Sequence, residues 1–232
     1  MSDPSYTVGI VGAGVIAQQI GESILERGFP LDTLRFFWTA PQDSTVAGVS
    51  GYKGFFYHFL DMKTGHRFDK VELSTIDTAL LLAGALFCQS YFDGAGAEED
   101  SIRALADSLY LRVDWRWAQV RPPTLCLGWS PEEGFLPYDW RGYNEAMILH
   151  IMALGSPTRP ATGDVWGGWT SAYRWGAFQG QTCLGFAPLF GHQFSHVWID
   201  YRGINDAWMR AKGLDYFENS RRATLAQQAY AM

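Results

Sequence analysis

Apolar and amphipathic segments alternate along this chain with stretches rich in glycine and aromatic residues. Ser74-Thr75-Ile76-Asp77 has the form of a capping box and predicts an apolar helix over Ala79 to Phe92, which Asp93-Gly94 ends. Glu98 to Val113 predicts a second helix, because its apolar residues recur on one stripe, at Ile102, Leu105, Leu109 and Val113. The two segments together predict an antiparallel helical hairpin.

The rest of the pattern also favours a mainly helical architecture. Helices are predicted from about Asn144 to Leu154, within Phe194 to Asp200 and within Ile204 to Met232. Residues 48–72 predict a loop or a short hairpin, and Asp114 to Tyr143 predicts a long irregular connection. Connections of that length inside a compact domain are usually functional.

Two interpretations fit the segment VGIVGAGVIA, Val8 to Ala17. Its GxGxxA spacing after an apolar run can place a dinucleotide pyrophosphate at a helix N-terminus. That fold needs an acidic residue at the end of a second strand ~20 residues later, whereas Asp32 lies at the beginning of the next apolar segment. The alternative is a helix rich in glycine and alanine that runs to Arg27 and ends at Gly28.

Composition narrows the class of protein. The 232 residues are 47% hydrophobic and 18% charged, with a net charge of −6, which excludes a disordered chain and leaves no basic surface for nucleic acid. The apolar runs are far shorter than the ~20 residues of a membrane span, and no basic residue opens a secretory leader. The sequence therefore predicts a cytoplasmic protein without a membrane segment. Its three separated cysteines predict packed thiols.

Aromatic residues make up 16% of the chain, and many lie in segments rich in glycine and proline. Flat side chains on loops around a cleft are suited to stacking on sugar rings. The alternative is that these side chains form an aromatic-rich core.

Several segments, in order, resemble the bacterial glucoamylase-like domains: GVSGYKGFFYHFLDMKTG, ELSTIDTALLLAGALF, DWRWAQ, GYNEAMILHIMALGSPTRP, PLFGHQFSHVWIDYRG and DYFENSRRATLAQ. That family includes β-1,2-glucan hydrolases and domains of cyclic β-1,2-glucan synthases, and its members are often exported or membrane-associated. The resemblance covers residues 34–232 and leaves residues 1–33 as an atypical N-terminal helical segment. It implies an all-α fold, an (α/α)6 toroid of helical hairpins with long aromatic-rich loops around a central cleft.

The last of these segments reaches the end of the sequence within a predicted helix. Family members continue through further helices, so we expect an incomplete toroid whose exposed helix faces favour self-association. The resemblance also implies that the partner base of the catalytic pair lies in the part of the family fold beyond Met232.

Glycoside hydrolysis needs a carboxylic acid beside the leaving oxygen and a second carboxylate. The resemblance implies that Glu145, in the GYNEAM segment, is the general acid, and the alternative is a glutamate that only complements a helix dipole. Asp139 is the candidate second carboxylate, although it could also bind a sugar hydroxyl or pair with Arg141. Asp77 fits the capping box, and Glu72 is a candidate for the cleft unless it pairs with a neighbouring Lys or Arg.

The predicted substrate-binding residues lie in the resembling segments and in the aromatic loop before Glu145. His192 and His196 are four positions apart, but a metal site would need a third ligand, so hydrogen bonds to sugar hydroxyls or core packing are the alternatives and no metal is predicted. The full set of predicted sugar contacts is Tyr52, Lys53, Glu72, Trp140, Arg141, Tyr143, His192, Gln193, His196 and Asp200.

These observations predict a glycoside hydrolase that acts on a β-glucan, with β-1,2-glucan as the linkage implied by the resemblance and with no cofactor. Two alternatives stay open. One is a carbohydrate-binding form of such a domain without catalysis, and the other is a nucleotide-dependent oxidoreductase based on the N-terminal GxGxxA. A parallel sheet after Gly14 would indicate the oxidoreductase.

Overall fold

A computed structural model of the chain describes residues 11–12 and 28–232. The helices, in chain order, are α1 (Gly28–Thr39), α2 (Thr75–Tyr91), α3 (Ala97–Leu111), α4 (Met147–Gly155), α5 (Val165–Thr170), α6 (Ala207–Ala211) and α7 (Tyr216–Ala231). The strands are β1 (Val11–Gly12), β2 (Gly51–Tyr52), β3 (Phe55–Tyr57), β4 (Phe59–Leu60), β5 (Leu73–Ser74), β6 (Gly128–Ser130), β7 (Gly134–Phe135), β8 (Trp175–Phe178) and β9 (Gln181–Leu184).

The prediction of an all-α toroid is wrong, because the helices pack with a five-stranded antiparallel sheet. Its strand order is β2-β3-β5-β6-β7. β2 and β3 come from residues 48–72, which the sequence predicted as a loop or a short hairpin, and β6 and β7 come from the connection between Asp114 and Tyr143, which it predicted as irregular. β5 lies directly before α2. Each strand has only two or three residues, too few for an alternating pattern to be visible.

The helical hairpin predicted from residues 74–113 is confirmed as α2 and α3, which pack together. The Ser74 hydroxyl accepts a hydrogen bond from the backbone N–H of Asp77 at 3.2 Å and donates one to its carboxylate at 2.6 Å. The capping residue thus fixes both the start of α2 and the orientation of the Asp77 side chain.

The C-terminal third is less regular than predicted. Phe194 to Val197 forms a 3-10 turn, and residues 204–232 divide into α6 and α7. The break follows from Gly213, whose φ of 68° suits glycine, and from Asp215, whose side chain caps α7 by accepting from the N–H of Glu218.

Most of the N-terminal segment lies outside the described residues, including the helix predicted up to Arg27. Val11–Gly12 pairs antiparallel with Phe59–Leu60. The segment from Leu31 to Ala40, which the oxidoreductase interpretation needs as a second strand, lies mostly within α1, and the predicted domain boundary at residues 33 and 34 falls inside this helix. The named strands of the described ranges pair only antiparallel, so the parallel sheet of that interpretation does not occur there.

Two buried clusters hold the described fold together. The larger one joins α1, α2, α3 and the sheet through side chains such as Leu34, Phe55, Leu81 and Trp115. The second is aromatic and joins α4, α5 and α7 through Tyr143, Met147, Trp169, Tyr201 and Tyr216. Cys88, Cys126 and Cys183 are buried free thiols, as predicted. In the described part of the chain, no helix combines the length and apolar character that crossing a membrane requires.

Replacing the cap of α2 should destabilise the protein measurably. Ser74→Ala removes an N-cap hydrogen bond at a buried position, so we expect the free energy of unfolding to fall by about 1 kcal/mol. Denaturant unfolding followed by circular dichroism measures this change.

Ser90→Ala is the matched control, since Ser90 lies exposed on the same helix and bonds only to the Leu86 carbonyl. We expect a change below about 0.5 kcal/mol for this control. Equal losses in the two variants would contradict the capping role of Ser74.

Candidate active site

Two carboxylates of the described fold meet around one histidine. His58 Nδ1 donates to Glu72 Oε1 at 2.9 Å, and its Nε2 lies 3.4 Å from Asp77 Oδ2. The His58 ring stacks on the ring of Phe59 with centroids 4.2 Å apart. We name this group of three charged side chains, Glu72, His58 and Asp77, the histidine bridge.

Local strand pairing brings the histidine bridge together. Phe56–Tyr57 of β3 pairs with Leu73–Ser74 of β5, and the pairing continues as the His58 N–H donates to the Glu72 carbonyl at 2.9 Å. Gly128, opposite Ser74 on β6, leaves room for Glu72, since a Cβ atom there would lie 3.1 Å from Glu72 Cγ and 2.5 Å from the Leu73 carbonyl oxygen. A side chain at position 128 would therefore displace both.

Glu145 lies just before α4, within electrostatic reach of Asp77 of the histidine bridge. Its carbonyl accepts from Ser195 Oγ at 3.2 Å, and the same hydroxyl accepts from the N–H of Ile148 at 3.0 Å. The Glu145 Oε2 atom is buried and has no hydrogen-bond partner among the described residues. Burial, and secondarily the negative charge of Asp77, raise the pKa of the Glu145 carboxyl. Its proton is thus retained to higher pH than on an ordinary glutamate.

The other members of the site carry charges of both signs. Burial raises the pKa of Asp77, while the Ser74 hydroxyl and His58 act in the opposite direction. The hydrogen bond with His58 lowers the pKa of Glu72, and the same bond raises the pKa of His58. An ion pair beside two carboxyls with raised pKa values is the kind of arrangement that supports acid and base chemistry.

Asp139, the predicted partner of Glu145, is engaged elsewhere. Its carboxylate accepts two hydrogen bonds from Arg121 Nε, at 3.0 and 3.1 Å, and further bonds from Arg121 Nη2 at 2.6 Å and from the Thr124 hydroxyl at 2.8 Å. A carboxylate whose lone pairs are satisfied in this way is held as a structural anion. The negative charge that acts on Glu145 in the structure is therefore that of Asp77.

Tyr52 and Lys53 belong to the hairpin between β2 and β3. Lys53 and Gly54 form its two-residue turn with φ values of 56° and 88°, and the close approach of the Val113 backbone excludes a Cβ at Gly54. Tyr52 packs against Trp117 and Trp129. In the hairpin, Tyr52 lies opposite Phe55 on the same face of the sheet, and Phe56 lies on the other face. No hydrogen bond joins Tyr52 or Lys53 to the site carboxylates.

Three predicted sugar contacts are packed inside the protein. Trp140 is 8% exposed, and its Nε1 donates to Thr75 Oγ1 at 2.9 Å. Tyr143 lies in the aromatic cluster, with its hydroxyl 3.2 Å from Ser220 Oγ and its ring against His192. His192 is buried beside the Phe186 carbonyl. These side chains position the loop that carries Glu145.

The remaining predicted contacts lie at different places on the surface or near it. His196 Nε2 is 3.0 Å from Ser220 Oγ, and Asp200 is paired with Arg202. Because residues 192–197 form 3-10 turns, the two histidines do not share a helix face as their spacing predicted. Arg141 and Gln193 are exposed. Of the predicted sugar contacts, the structure joins only Glu72 to the site.

His58 was not among the site residues predicted from the sequence. The residue lies in the segment GFFYHF, whose apolar and aromatic composition is compatible with a strand, and a hairpin from residues 48–72 would have brought it towards Glu72. Asp77 was a candidate carboxylate in the sequence, but its place in the capping box favoured a structural role. Within residues 11–12 and 28–232, no group of three or more His, Cys, Asp or Glu side chains is arranged to hold a metal ion.

A groove of about 870 Å³ lies apart from these residues, between the β8–β9 hairpin and α7. Its lining is mostly apolar and includes Phe178, Phe186 and Tyr230, and none of the histidine bridge residues or Glu145 lines it. This groove and the charged site are therefore different places in the fold.

Comparison with known family models finds a match for the C-terminal part. A family model described as Glycoamylase, "Putative glucoamylase", matches residues 137–232. Among curated proteins no match to the chain is found.

Solved structures extend the comparison to nearly the whole chain. A putative glucoamylase from Bacteroides uniformis ATCC 8492 aligns with a TM-score of 0.82 and 25% identity over 97% of this chain and 58% of its own. A putative glucoamylase from Bacteroides fragilis NCTC 9343 gives 0.78 and 26% over 99% and 58%. An endo-β-1,2-glucanase from Chitinophaga pinensis, in complex with sophorotriose and glucose, gives 0.80 and 22% over 97% and 57%.

The chain spans less than two thirds of the length of these solved chains, which share its fold. The family match contains Glu145, whereas the histidine bridge lies before it in the sequence. Residues 137–232 thus match the model of a putative glucoamylase family, in agreement with the resemblance seen in the sequence.

Proposed function

We propose that this chain carries the site of a glycoside hydrolase that acts on β-1,2-linked glucan by general acid and base hydrolysis. The observation that carries the proposal is the pair formed by Glu145, whose Oε2 is buried without a partner, and the neighbouring Asp77. The fold shared with an endo-β-1,2-glucanase in complex with sophorotriose supports the choice of substrate.

Glu145 is the proton donor in this proposal. A general acid must hold its proton near the working pH and then deliver it to the leaving oxygen, and burial together with the charge of Asp77 favours the protonated form. Because Oε2 has no hydrogen-bond partner among the described residues, no described group competes for the proton that this oxygen would donate to the glycosidic oxygen.

Hydrolysis also needs a second carboxylate, which activates water or attacks the anomeric carbon. We assign this role to Asp77, because its negative charge acts on Glu145 and its side chain is only 14% exposed. Asp139 is not suited to it, since Arg121 neutralises its charge.

Binding without cleavage is the second candidate function. The observation that favours it is the same ion pair between Arg121 and Asp139, which removes one of the two carboxylates that the sequence predicted for catalysis. Measuring sugar release and binding on the same β-1,2-, β-1,3- and β-1,4-glucans separates the two functions. Release from β-1,2-glucan supports the hydrolase, and binding alone supports the second candidate. The absence of both release and binding would contradict both functions.

Glu145→Gln should reduce the release of reducing sugar from β-1,2-glucan by about 100-fold or more, because the amide cannot deliver a proton. Glu133→Gln, the same substitution at an exposed glutamate, should leave the rate unchanged. Circular dichroism checks that both variants fold. A Glu145→Gln variant with wild-type turnover would show that another group is the acid.

The rate should depend on pH through both carboxyls. Activity requires ionised Asp77 and protonated Glu145, so the rate should rise with pH through the apparent pKa of Asp77 and fall through that of Glu145. Because burial raises both pKa values, we expect the maximum to lie at higher pH than ordinary aspartate and glutamate side chains would give. Plots of kcat/KM against pH measure this.

Carboxyl-carbon NMR titration of Asp77→Asn gives an independent check. Removing the negative neighbour should lower the pKa of Glu145, although burial, the larger cause, remains. Asp93→Asn, at an exposed position, is the control and should leave the titration of Glu145 unchanged. An unchanged Glu145 titration in the Asp77 variant would refute the coupling of the pair.

A further inference from the structure

His58 is placed so that each ring nitrogen faces a carboxylate oxygen. Nδ1 lies 2.9 Å from Glu72 Oε1, and Nε2 lies 3.4 Å from Asp77 Oδ2. Ionised carboxylates only accept hydrogen bonds, whereas a neutral imidazole has one N–H and one unprotonated nitrogen. Only the imidazolium presents a proton to both carboxylates.

Stacking fixes the ring in this orientation. The Phe59 ring lies 4.2 Å from the His58 ring with an angle of 10° between the planes, which limits rotation of the imidazole about its side-chain bonds. The backbone N–H of His58 is bonded to the Glu72 carbonyl, so the main chain is fixed at the same point. The bridge is thus held by the ring, the main chain and the two carboxylates together.

The charged groups around the bridge differ on its two sides. Glu72 faces His58 and also feels the charge of Arg67, which is itself paired with Glu132. Asp77 faces His58, Glu72 and Glu145, and in the described part of the chain His58 is the cation that acts on it. Loss of the His58 charge would therefore leave Asp77 without a cation acting on it among the described residues, whereas Arg67 would still act on Glu72.

We propose that His58 is a positioning residue whose imidazolium joins Glu72 to Asp77 and keeps Asp77 ionised beside Glu145. Glu72 acts as the anchor that keeps His58 protonated and oriented. His58 does not touch the substrate or transfer a proton in this assignment. The proposal rests on the proposed function only in assigning Asp77 to the reaction, since the bridge itself can be measured without substrate.

His58→Gln tests the role through the pH profile of β-1,2-glucan hydrolysis. Without the imidazolium, the pKa of Asp77 should rise, so the acidic limb of kcat/KM should move to higher pH while the alkaline limb, set by Glu145, stays in place. We expect kcat on the acidic side of the optimum to fall by about tenfold, with KM changed by less than about twofold. A merely structural role would lower the rate equally at every pH.

His66→Gln is the matched control. His66 lies on the neighbouring segment of the same hairpin region and makes no side-chain hydrogen bond or ion pair to a described residue. The control should keep the wild-type profile. If both variants, or neither, displaced the acidic limb, the assignment of His58 would be overturned.

The double variant His58→Gln/Glu72→Gln tests the anchor. If Glu72 acts through His58, Glu72→Gln should lower the rate in the wild-type background and have little further effect once His58 is replaced. Losses that multiply independently would show that Glu72 acts by another route and would overturn the anchor role.

Imidazole NMR of histidine-labelled protein gives the readout that is independent of activity. The His58 signal, identified by its absence in His58→Gln, should show both nitrogens protonated at neutral pH, and Glu72→Gln should lower its titration midpoint. A neutral His58 at pH 7 would overturn the bridge whatever the activity. A protonated His58 in a protein that cleaves no glucan would leave the bridge standing and refute the proposed function instead.

Discussion

Burying a carboxylate is costly unless its charge is met by hydrogen bonds or by a cation, and the site is organised around this constraint at Asp77. The side chain is held by the Ser74 hydroxyl on one side and faces His58 on the other. Both partners come from short elements whose positions are fixed by the sheet, since Ser74 ends β5 and His58 follows β3. The sheet therefore determines where the charges lie, and the helices determine how deeply they are buried.

The same constraint explains why Glu145 differs from an ordinary glutamate. Its loop is bonded to Ser195 on the side of the aromatic cluster, and Trp140 of the same loop is bonded to Thr75 at the start of α2. These contacts of the loop, which the carboxyl itself does not make, place the carboxyl in a buried position near a negative charge. Trp140 and Tyr143, which the sequence predicted as sugar contacts, are buried in the structure, and Trp140 donates a hydrogen bond to Thr75.

Local signals in the sequence predicted the elements that local interactions determine. The capping box at Ser74 and the apolar spacing of α2 and α3 predicted that hairpin closely, because caps and helical periodicity act over a few residues. The five-stranded sheet could not be predicted in this way, since its two- and three-residue strands are stabilised by partners far away in the sequence. His58 was missed for this reason, and the ion pair of Asp139 with Arg121 was not predicted because it depends on how the loop folds.

The ion pair between Arg121 and Asp139 has an effect on the chain between the two residues. It closes residues 121–139 into a loop, and a closed loop has less conformational entropy to lose when the rest of it becomes ordered. This loop contains β6 and β7, and with them Gly128, the position that makes room for Glu72. Through this ion pair, Asp139 preorganises the strands beside the site without contacting the site itself. Because the Arg121 side chain is 41% exposed, the strength of the ion pair depends on the ionic strength of the surrounding solution.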